Sequence, residues 1–124
     1  MAKILENLLY TKSHEWVKVD GNVATIGVTD FAQNSLGSVV YVEGFLDEHV
    51  DQEAECGAIE SVKAASDIMA PVSGKVVEVN AEVLDNPELI NSDPYKYWIL
   101  KIEMDDETEL NNLLDAKAYE GECK

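Results

Sequence analysis

One lysine stands out for its chemistry in the middle of the chain. Lys63 lies between two runs of strand-forming residues, where Ala64, Ala65 and Ser66 favour a tight turn. A primary amine at the tip of such a hairpin is open to water and to any enzyme that modifies it. A lone lysine in a loop is also a common solvated residue, so the spacing by itself leaves both interpretations open.

The sequence of this segment resembles the lipoyl-attachment hairpin of the glycine cleavage system H-protein family. Four other segments resemble that family's signatures in the same order and extend the likeness over nearly the whole chain. The attachment segment is Glu60-Ser61-Val62-Lys63-Ala64-Ala65-Ser66-Asp67, and the other four span residues 10–17, 26–33, 70–74 and 93–95.

The resemblance implies a carrier rather than an enzyme. Lys63 is expected to hold lipoate in an amide, flanked by the hairpin residues Glu60, Ser61, Val62, Ala64 and Asp67. A lipoyl disulfide accepts a carbon group together with two electrons and is then reoxidised. The implied partners are a pyridoxal-phosphate-dependent glycine decarboxylase, a tetrahydrofolate-dependent aminomethyltransferase, dihydrolipoamide dehydrogenase and the enzymes that attach lipoate.

The same resemblance implies a surface cleft that shelters the loaded arm. The matching positions are Ser13, Glu15, Phe31 and Asp67. Glu15 and Asp67 are expected to pair with the positive charge of a bound methylamine. The alternatives are an ordinary exposed strand residue for Glu15 and a cap of its own turn for Asp67. Phe31 departs from the family, which often has a hydrogen-bonding His or Tyr there.

Three other functions remain open. Biotinyl carriers share this hairpin, but they place methionine on both sides of the lysine, where this chain has Val62 and Ala64. An unmodified interaction protein is disfavoured because the attachment sequence is intact. An H-like protein that relays lipoate to other lipoyl enzymes is not separated from the main role by the sequence.

Composition limits the classes of partner. The chain has 124 residues, 46% of them hydrophobic, which predicts one carrier domain over residues 1–124. The formal net charge of -16 opposes binding to nucleic acid or to an anionic membrane. We expect a monomer in the bacterial cytoplasm, without a leader or a membrane span. The two histidines, His14 and His49, show no metal-ligand spacing, so no metal is expected.

The predicted fold is mostly β: a lipoyl-domain-like flattened barrel or sandwich with quasi-two-fold symmetry. Residues 29–42 align without gaps on residues 66–79, sharing Asp, Gly and three Val, which predicts two similar half-sheets. The lysine hairpin is expected over about 57–74, and another hairpin turns at Asp20-Gly21-Asn22.

Short peripheral helices complete the prediction. One is capped by Thr29 and ends at Gly37, and one helical turn spans 85–91 with Pro87 at its first position. A C-terminal helix over about 106–119 is predicted from a capping box at Asp106 and Glu109 and from an apolar stripe that follows. A loop is expected over residues 47–55, and a further strand over residues 97–102.

Overall fold

The computed structural model describes residues 3–123. Its strands are β1 Leu9–Tyr10, β2 Glu15–Asp20, β3 Val23–Val28, β4 Val39–Gly44, β5 His49–Val50, β6 Glu55–Ser61, β7 Ala65–Met69, β8 Gly74–Val79 and β9 Leu100–Met104. Its helices are α1 Asp30–Leu36, α2 Ala81–Asp85, α3 Leu89–Ser92 and α4 Ala116–Glu120, with a 3-10 helix over Glu107–Asn112. The mostly-β prediction is confirmed.

Two antiparallel sheets enclose the core. One has six strands in the order β1-β2-β3-β9-β8-β5, and the other has three in the order β4-β6-β7. The inward side chains of both sheets form one buried cluster, as the alternation of a half-buried strand requires. Representative members are Ile26, Val76 and Ile102 from the larger sheet and Ile59 and Ile68 from the smaller. The flattened sandwich is therefore confirmed.

The internal repeat is visible as two matched β-bulges. The register of β4 shifts between Val39 and Tyr41, and the register of β8 shifts between Val76 and Glu78. The bulged residues, Val40 and Val77, are equivalent positions of the repeat. The earlier part of the repeat diverges, because residues 30–36 form α1 whereas residues 65–69 form β7.

The N-terminal hairpin and its following helix agree with the prediction. β2 and β3 pair from Glu15 opposite Val28 to Asp20 opposite Val23, and Gly21 takes the left-handed φ of 63° that the turn requires. The Thr29 side chain caps α1 by accepting from the Ala32 N–H, and Gly37 ends the helix.

The continuous helix predicted over 106–119 is wrong. Asp106 does cap the 3-10 helix, by accepting from the Thr108 N–H. The chain then becomes extended, and Leu114 forms a two-way backbone bridge to Tyr10, with both N···O distances at 2.8 Å. Glu109 does not complete a capping box, since its carboxylate accepts from the N–H and hydroxyl of Ser73. Tertiary pairing thus interrupts a locally helical sequence.

Three other boundaries also differ from the prediction. Helix α2 precedes the expected turn and is capped by the Asn80 side chain, while α3 begins at Leu89, two residues after Pro87. The predicted strand over 97–102 begins later in the structure, as β9 at Leu100–Met104. The predicted loop over 47–55 contains β5, which pairs with β8. Within residues 3–123, no helix is long and apolar enough to cross a membrane.

Candidate functional site

Lys63 occupies the tip of the β6–β7 hairpin. The buried hydroxyl of Ser61 accepts hydrogen bonds from the backbone N–H groups of Lys63 and Ala64, at 3.3 and 3.1 Å. The Ser61 N–H donates to the Ala64 carbonyl at 2.7 Å and closes the turn. The backbone is therefore fixed from beneath while the lysine side chain is exposed.

The junction of α1 and β4 lies beside this tip. A Cβ atom at Gly37 would stand 3.5 Å from Cε of Lys63, so the lysine stem passes close to that glycine. Gly37 also has a φ of 82°, a left-handed conformation that favours glycine. The Val62 N–H donates to the Ser38 carbonyl at 3.1 Å. The hairpin tip thus rests on a second segment of backbone.

The residues that flank the lysine have different environments. Glu60, Val62, Ala64 and Asp67 are exposed, whereas Ser61 is buried. Asp67 lies within β7, opposite Ala58, so it does not cap a turn and that alternative is wrong. Ser61 performs the turn-stabilising role instead, through the hydrogen bonds described above.

Glu15, the first residue of β2, is a buried acidic residue. Its side chain is only 2% exposed, so the alternative of an ordinary exposed strand residue is wrong. Oε1 accepts from the hydroxyls of Thr11 and Ser13, at 2.6 and 2.5 Å. Oε2 accepts from the backbone N–H of Met69, at 3.3 Å. Glu15 therefore connects the first hairpin to the end of β7.

Burial raises the pKa of Glu15 to about 7, and the hydrogen bonds from Ser13, Thr11 and Met69 only partly oppose this shift. The ion pairs among residues 3–123 are His49–Asp105, Lys75–Asp47 and Lys101–Glu78, so Glu15 has no cationic partner there. A buried carboxyl that is about half ionised near neutral pH can respond to a nearby positive charge.

The predicted cleft residues are only partly brought together. Ser13 contacts Glu15 directly, and Asp67 lies two residues before Met69 on β7. Phe31 stacks on His14, with ring centroids 4.5 Å apart. Phe31, in the first turn of α1, therefore contacts His14, the residue between Ser13 and Glu15.

Tyr119 contributes to the site but was not predicted from the sequence. Tyr119 of α4 shares hydrogen bonds with the Thr29 hydroxyl, at 2.6 Å, and with Nδ1 of His14, at 2.8 Å. Burial lowers the pKa of His14. His14, between Ser13 and Glu15, has a left-handed φ of 71°. Its side chain is fixed in place by the hydrogen bond to Tyr119. No local pattern links residues 90 or more positions apart.

A cavity of about 510 Å³ adjoins this region. Its walls include the three groups that bond to Glu15, namely Thr11, Ser13 and Met69, together with Lys12 and Glu53. No cluster of three or more His, Cys, Asp or Glu in the described part of the chain suits a metal ion. His49 is exposed and pairs with Asp105.

Comparison with known proteins identifies the family. The model of the family described as Glycine cleavage H-protein matches residues 8–124. The chain belongs to the glycine cleavage H-protein family. A glycine cleavage system H protein from Carboxydothermus hydrogenoformans is 53% identical over 123 residues, covering 97% of this chain and 94% of the relative.

Two further proteins agree with this assignment. The mitochondrial glycine cleavage system H protein 2 of Arabidopsis thaliana is 53% identical over 98% of this chain and 79% of its own length. A crystal structure of a glycine cleavage system H protein from Mycobacterium marinum superposes with a TM-score of 0.84 and 34% identity, covering 95% of this chain and 97% of that one.

Membership in the H-protein family settles the class of function. The chain is a carrier component of the glycine cleavage system and not one of its catalysts, and the family's proteins are lipoyl carriers. The resemblance and the carrier function predicted from the sequence are confirmed. Bacterial relatives agree with the expected bacterial source.

Proposed function

We propose that Lys63 is the lipoyl-bearing residue of one carrier domain spanning residues 1–124. The monomeric protein, in the bacterial cytoplasm, receives the aminomethyl group of glycine from the pyridoxal-phosphate-dependent decarboxylase. It delivers that group to the tetrahydrofolate-dependent aminomethyltransferase and is reoxidised by dihydrolipoamide dehydrogenase. Lipoate-attaching enzymes act on it beforehand.

The observation that carries this proposal is the position of the Lys63 amine. The side chain is exposed at a turn whose backbone is fixed by the buried Ser61 hydroxyl. Gly37 has no side chain to crowd the stem. These features fit an amide-linked lipoyl group, because an enzyme can reach the nitrogen and the resulting arm can leave the surface freely. The bound lipoyl disulfide supplies the group-carrying and redox chemistry.

The region around Glu15 is proposed to hold the loaded end of that arm. Ser13 and Glu15 are already hydrogen-bonded, and Met69 brings the end of β7 to the same carboxyl. From Ala65 to Met69 the strand advances about 13 Å, at roughly 3.3 Å per residue, which is a distance suited to a long side-chain arm. Asp67, exposed on β7 between these points, contributes a second carboxylate.

Glu15 is suited to reversible binding of a cation. Since burial raises its pKa to about 7, the empty cleft can hold the carboxyl in its neutral form. An arriving ammonium group favours the carboxylate form, so the proton leaves as the ion pair forms. The pair then exists in a site from which water is largely excluded. Phe31, which stacks on His14, contributes an apolar wall rather than a hydrogen bond.

Mass spectrometry tests the attachment site. Protein produced in a lipoate-supplied host is expected to carry one lipoyl group, on the peptide containing Lys63. Lys63→Arg should fold normally but carry none and support no glycine decarboxylation, whereas Lys75→Arg, a change at an exposed lysine of β8, should match the wild type. A lipoyl group on any other lysine, or biotin on Lys63, would overturn the proposal.

A further inference from the structure

The two halves of the internal repeat differ beside the lysine. Each half has a β-bulge, at Val40 in β4 and at Val77 in β8. The residue that follows the bulge is Tyr41 in the first half and Glu78 in the second. Because the two bulges are equivalent, the second half shows which side chains the bulge itself requires. Any further feature of the first half is specific to the surface beside Lys63.

Three large apolar side chains are exposed next to Lys63. Val62 is 73% exposed, Val40 is 54% and Tyr41 is 46%. Tyr41 lies opposite Glu60, and the Val62 N–H bonds to the Ser38 carbonyl, so all three lie where β4 meets the hairpin tip. Glu60, near the end of β6, and Val62, just after it, are both exposed, while Ser61 between them is buried. Val40, Tyr41 and Val62 are here called the apolar patch.

The second half of the repeat has no such patch. Val77 is 40% exposed, but its neighbour Glu78 is charged and pairs with Lys101 at 3.6 Å. A bulge in this fold therefore does not require two exposed apolar residues. Exposed apolar side chains that lie next to one another, as Val40 and Tyr41 do, are typical of a surface that meets another protein.

Carboxylates border the patch. The Tyr41 hydroxyl donates to Oε2 of Glu43 at 3.3 Å, and Glu60 lies on the paired strand. Glu43 and Glu60 raise the pKa of Tyr41 through their negative charge. Neither carboxylate belongs to an ion pair among residues 3–123. The complementary surface would thus have an apolar centre and basic residues at its rim.

We propose that the apolar patch docks the enzyme that acylates Lys63, through an apolar surface rimmed by Lys or Arg. The inference rests on the proposed function of Lys63. An acylating enzyme must bring its reacting carbonyl to the lysine nitrogen itself, so it covers the residues beside the tip. Enzymes that act on the finished arm need to reach only its distal end, well away from the patch.

The docked reaction is an acyl transfer to nitrogen. The neutral Lys63 amine attacks the carbonyl carbon of an activated lipoyl group, a mixed acyl–phosphate anhydride held by the enzyme. The amide C–N bond forms, the acyl C–O bond breaks, and the phosphate-containing group leaves with the bonding electron pair. The amine proton passes to a base of the enzyme, and no electrons are exchanged with an external oxidant or reductant.

The first test uses the internal repeat as its own control. Tyr41→Glu gives the first half the residue found in the second, and Val40→Ser removes the other bulge side chain. Each is expected to lower kcat/KM for lipoylation by about tenfold, mainly through KM, in line with loss of an interface contact of about 1.4 kcal/mol. Val77→Ser, the equivalent change in β8, should stay within about twofold of the wild type.

A second test separates docking from chemistry. Lys63→Arg protein keeps the patch but accepts no lipoyl group, so it should competitively inhibit lipoylation of the wild type. Adding Tyr41→Glu to Lys63→Arg should raise the inhibition constant about tenfold, whereas adding Val77→Ser should not. This readout does not depend on turnover of the variant, and circular dichroism spectra check that each protein is folded.

The outcomes distinguish this inference from the proposed function. If the wild type is not lipoylated on Lys63, the proposed function itself fails. If the wild type is lipoylated but Tyr41→Glu and Val40→Ser match Val77→Ser, the docking inference alone is wrong. Variants lipoylated to completion should be reduced and reoxidised at wild-type rates. An equal loss in those steps would assign the patch to the other partners and overturn the inference.

Discussion

The carboxylate of Glu15 accepts a hydrogen bond from the backbone N–H of Met69, 54 residues away in the sequence, at 3.3 Å. This contact fastens the start of β2 to the end of β7, the strand that descends from Lys63. The Glu15 carboxyl is also almost inaccessible to solvent and has no cationic partner among residues 3–123. The behaviour of that group is open to direct measurement.

Stability should depend on pH through Glu15. Because its pKa rises from 4.5 to about 7 on folding, the folded state holds a proton that the unfolded state releases between these values. The contribution is therefore fully present below about pH 4.5 and is lost as pH rises through about 7. At about 1.4 kcal/mol per pKa unit, the loss amounts to about 3 kcal/mol.

Glu15→Gln isolates this effect. The variant cannot ionise, so its free energy of unfolding relative to the wild type should improve by about 3 kcal/mol between pH 4.5 and 8. Urea unfolding at several pH values measures it, with the exposed Glu60→Gln variant as the control that follows the wild type. Parallel curves for Glu15→Gln and the wild type would contradict the raised pKa.

Glu15→Ala should shorten the lifetime of the aminomethyl-loaded protein. A charge-assisted hydrogen bond contributes roughly 1.5–3 kcal/mol, and less where water competes, so a loss of about tenfold is expected. Each protein is loaded, the decarboxylase is removed, and ammonia release is followed over time. Lipoylation and reoxidation of the free dithiol should be nearly unchanged. Asp67→Asn should act in the same direction. Identical decay in wild type and Glu15→Ala would show that this carboxyl does not hold the amine.

Tyr119→Phe should loosen the C-terminal segment from the site. The change removes the hydroxyl shared with Thr29 and His14. The buried Thr29 hydroxyl keeps its bond from the Ala32 N–H but loses its second partner, and His14 Nδ1 loses its bond to Tyr119, which together cost about 1–3 kcal/mol. The loss is measured by urea unfolding. Tyr41→Phe serves as the control for stability, since the hydroxyl of Tyr41 is on an exposed residue and water can replace its bond to Glu43. Equal stabilities for the two variants would refute the role of Tyr119.

Gly57→Ala should be strongly destabilising. A Cβ atom there would lie 2.3 Å from the Glu43 carbonyl oxygen, so the backbone of β4 or β6 must move. Overpacking typically costs about 1–3 kcal/mol, and the upper end of that range is expected here because the clash is with backbone rather than with a flexible side chain. Gly21→Ala is the matched comparison, because its Cβ meets nothing within 4 Å and only the positive φ is unfavourable, at about 1 kcal/mol. Thermal unfolding ranks the two, and the reverse order would contradict the packing of β4 on β6.

The sequence by itself determined the features that local chemistry controls. The Lys63 hairpin follows from strand-forming runs around three small residues, and the Asp20-Gly21-Asn22 turn follows from the glycine that accepts a left-handed φ. The Thr29 cap and the Gly37 end of α1 follow from the same local rules. The function could be predicted from the family's motifs, because the attachment segment is a short contiguous stretch of sequence.

Only the tertiary structure decided how distant segments share their polar groups. Glu15 is buried because Thr11, Ser13 and Met69 together satisfy it, and no spacing along the chain predicts the third partner. The C-terminal helix is interrupted because Leu114 pairs with Tyr10. In each case a hydrogen bond or a buried surface between remote residues outweighs a helix or strand preference worth less than about 1 kcal/mol per residue.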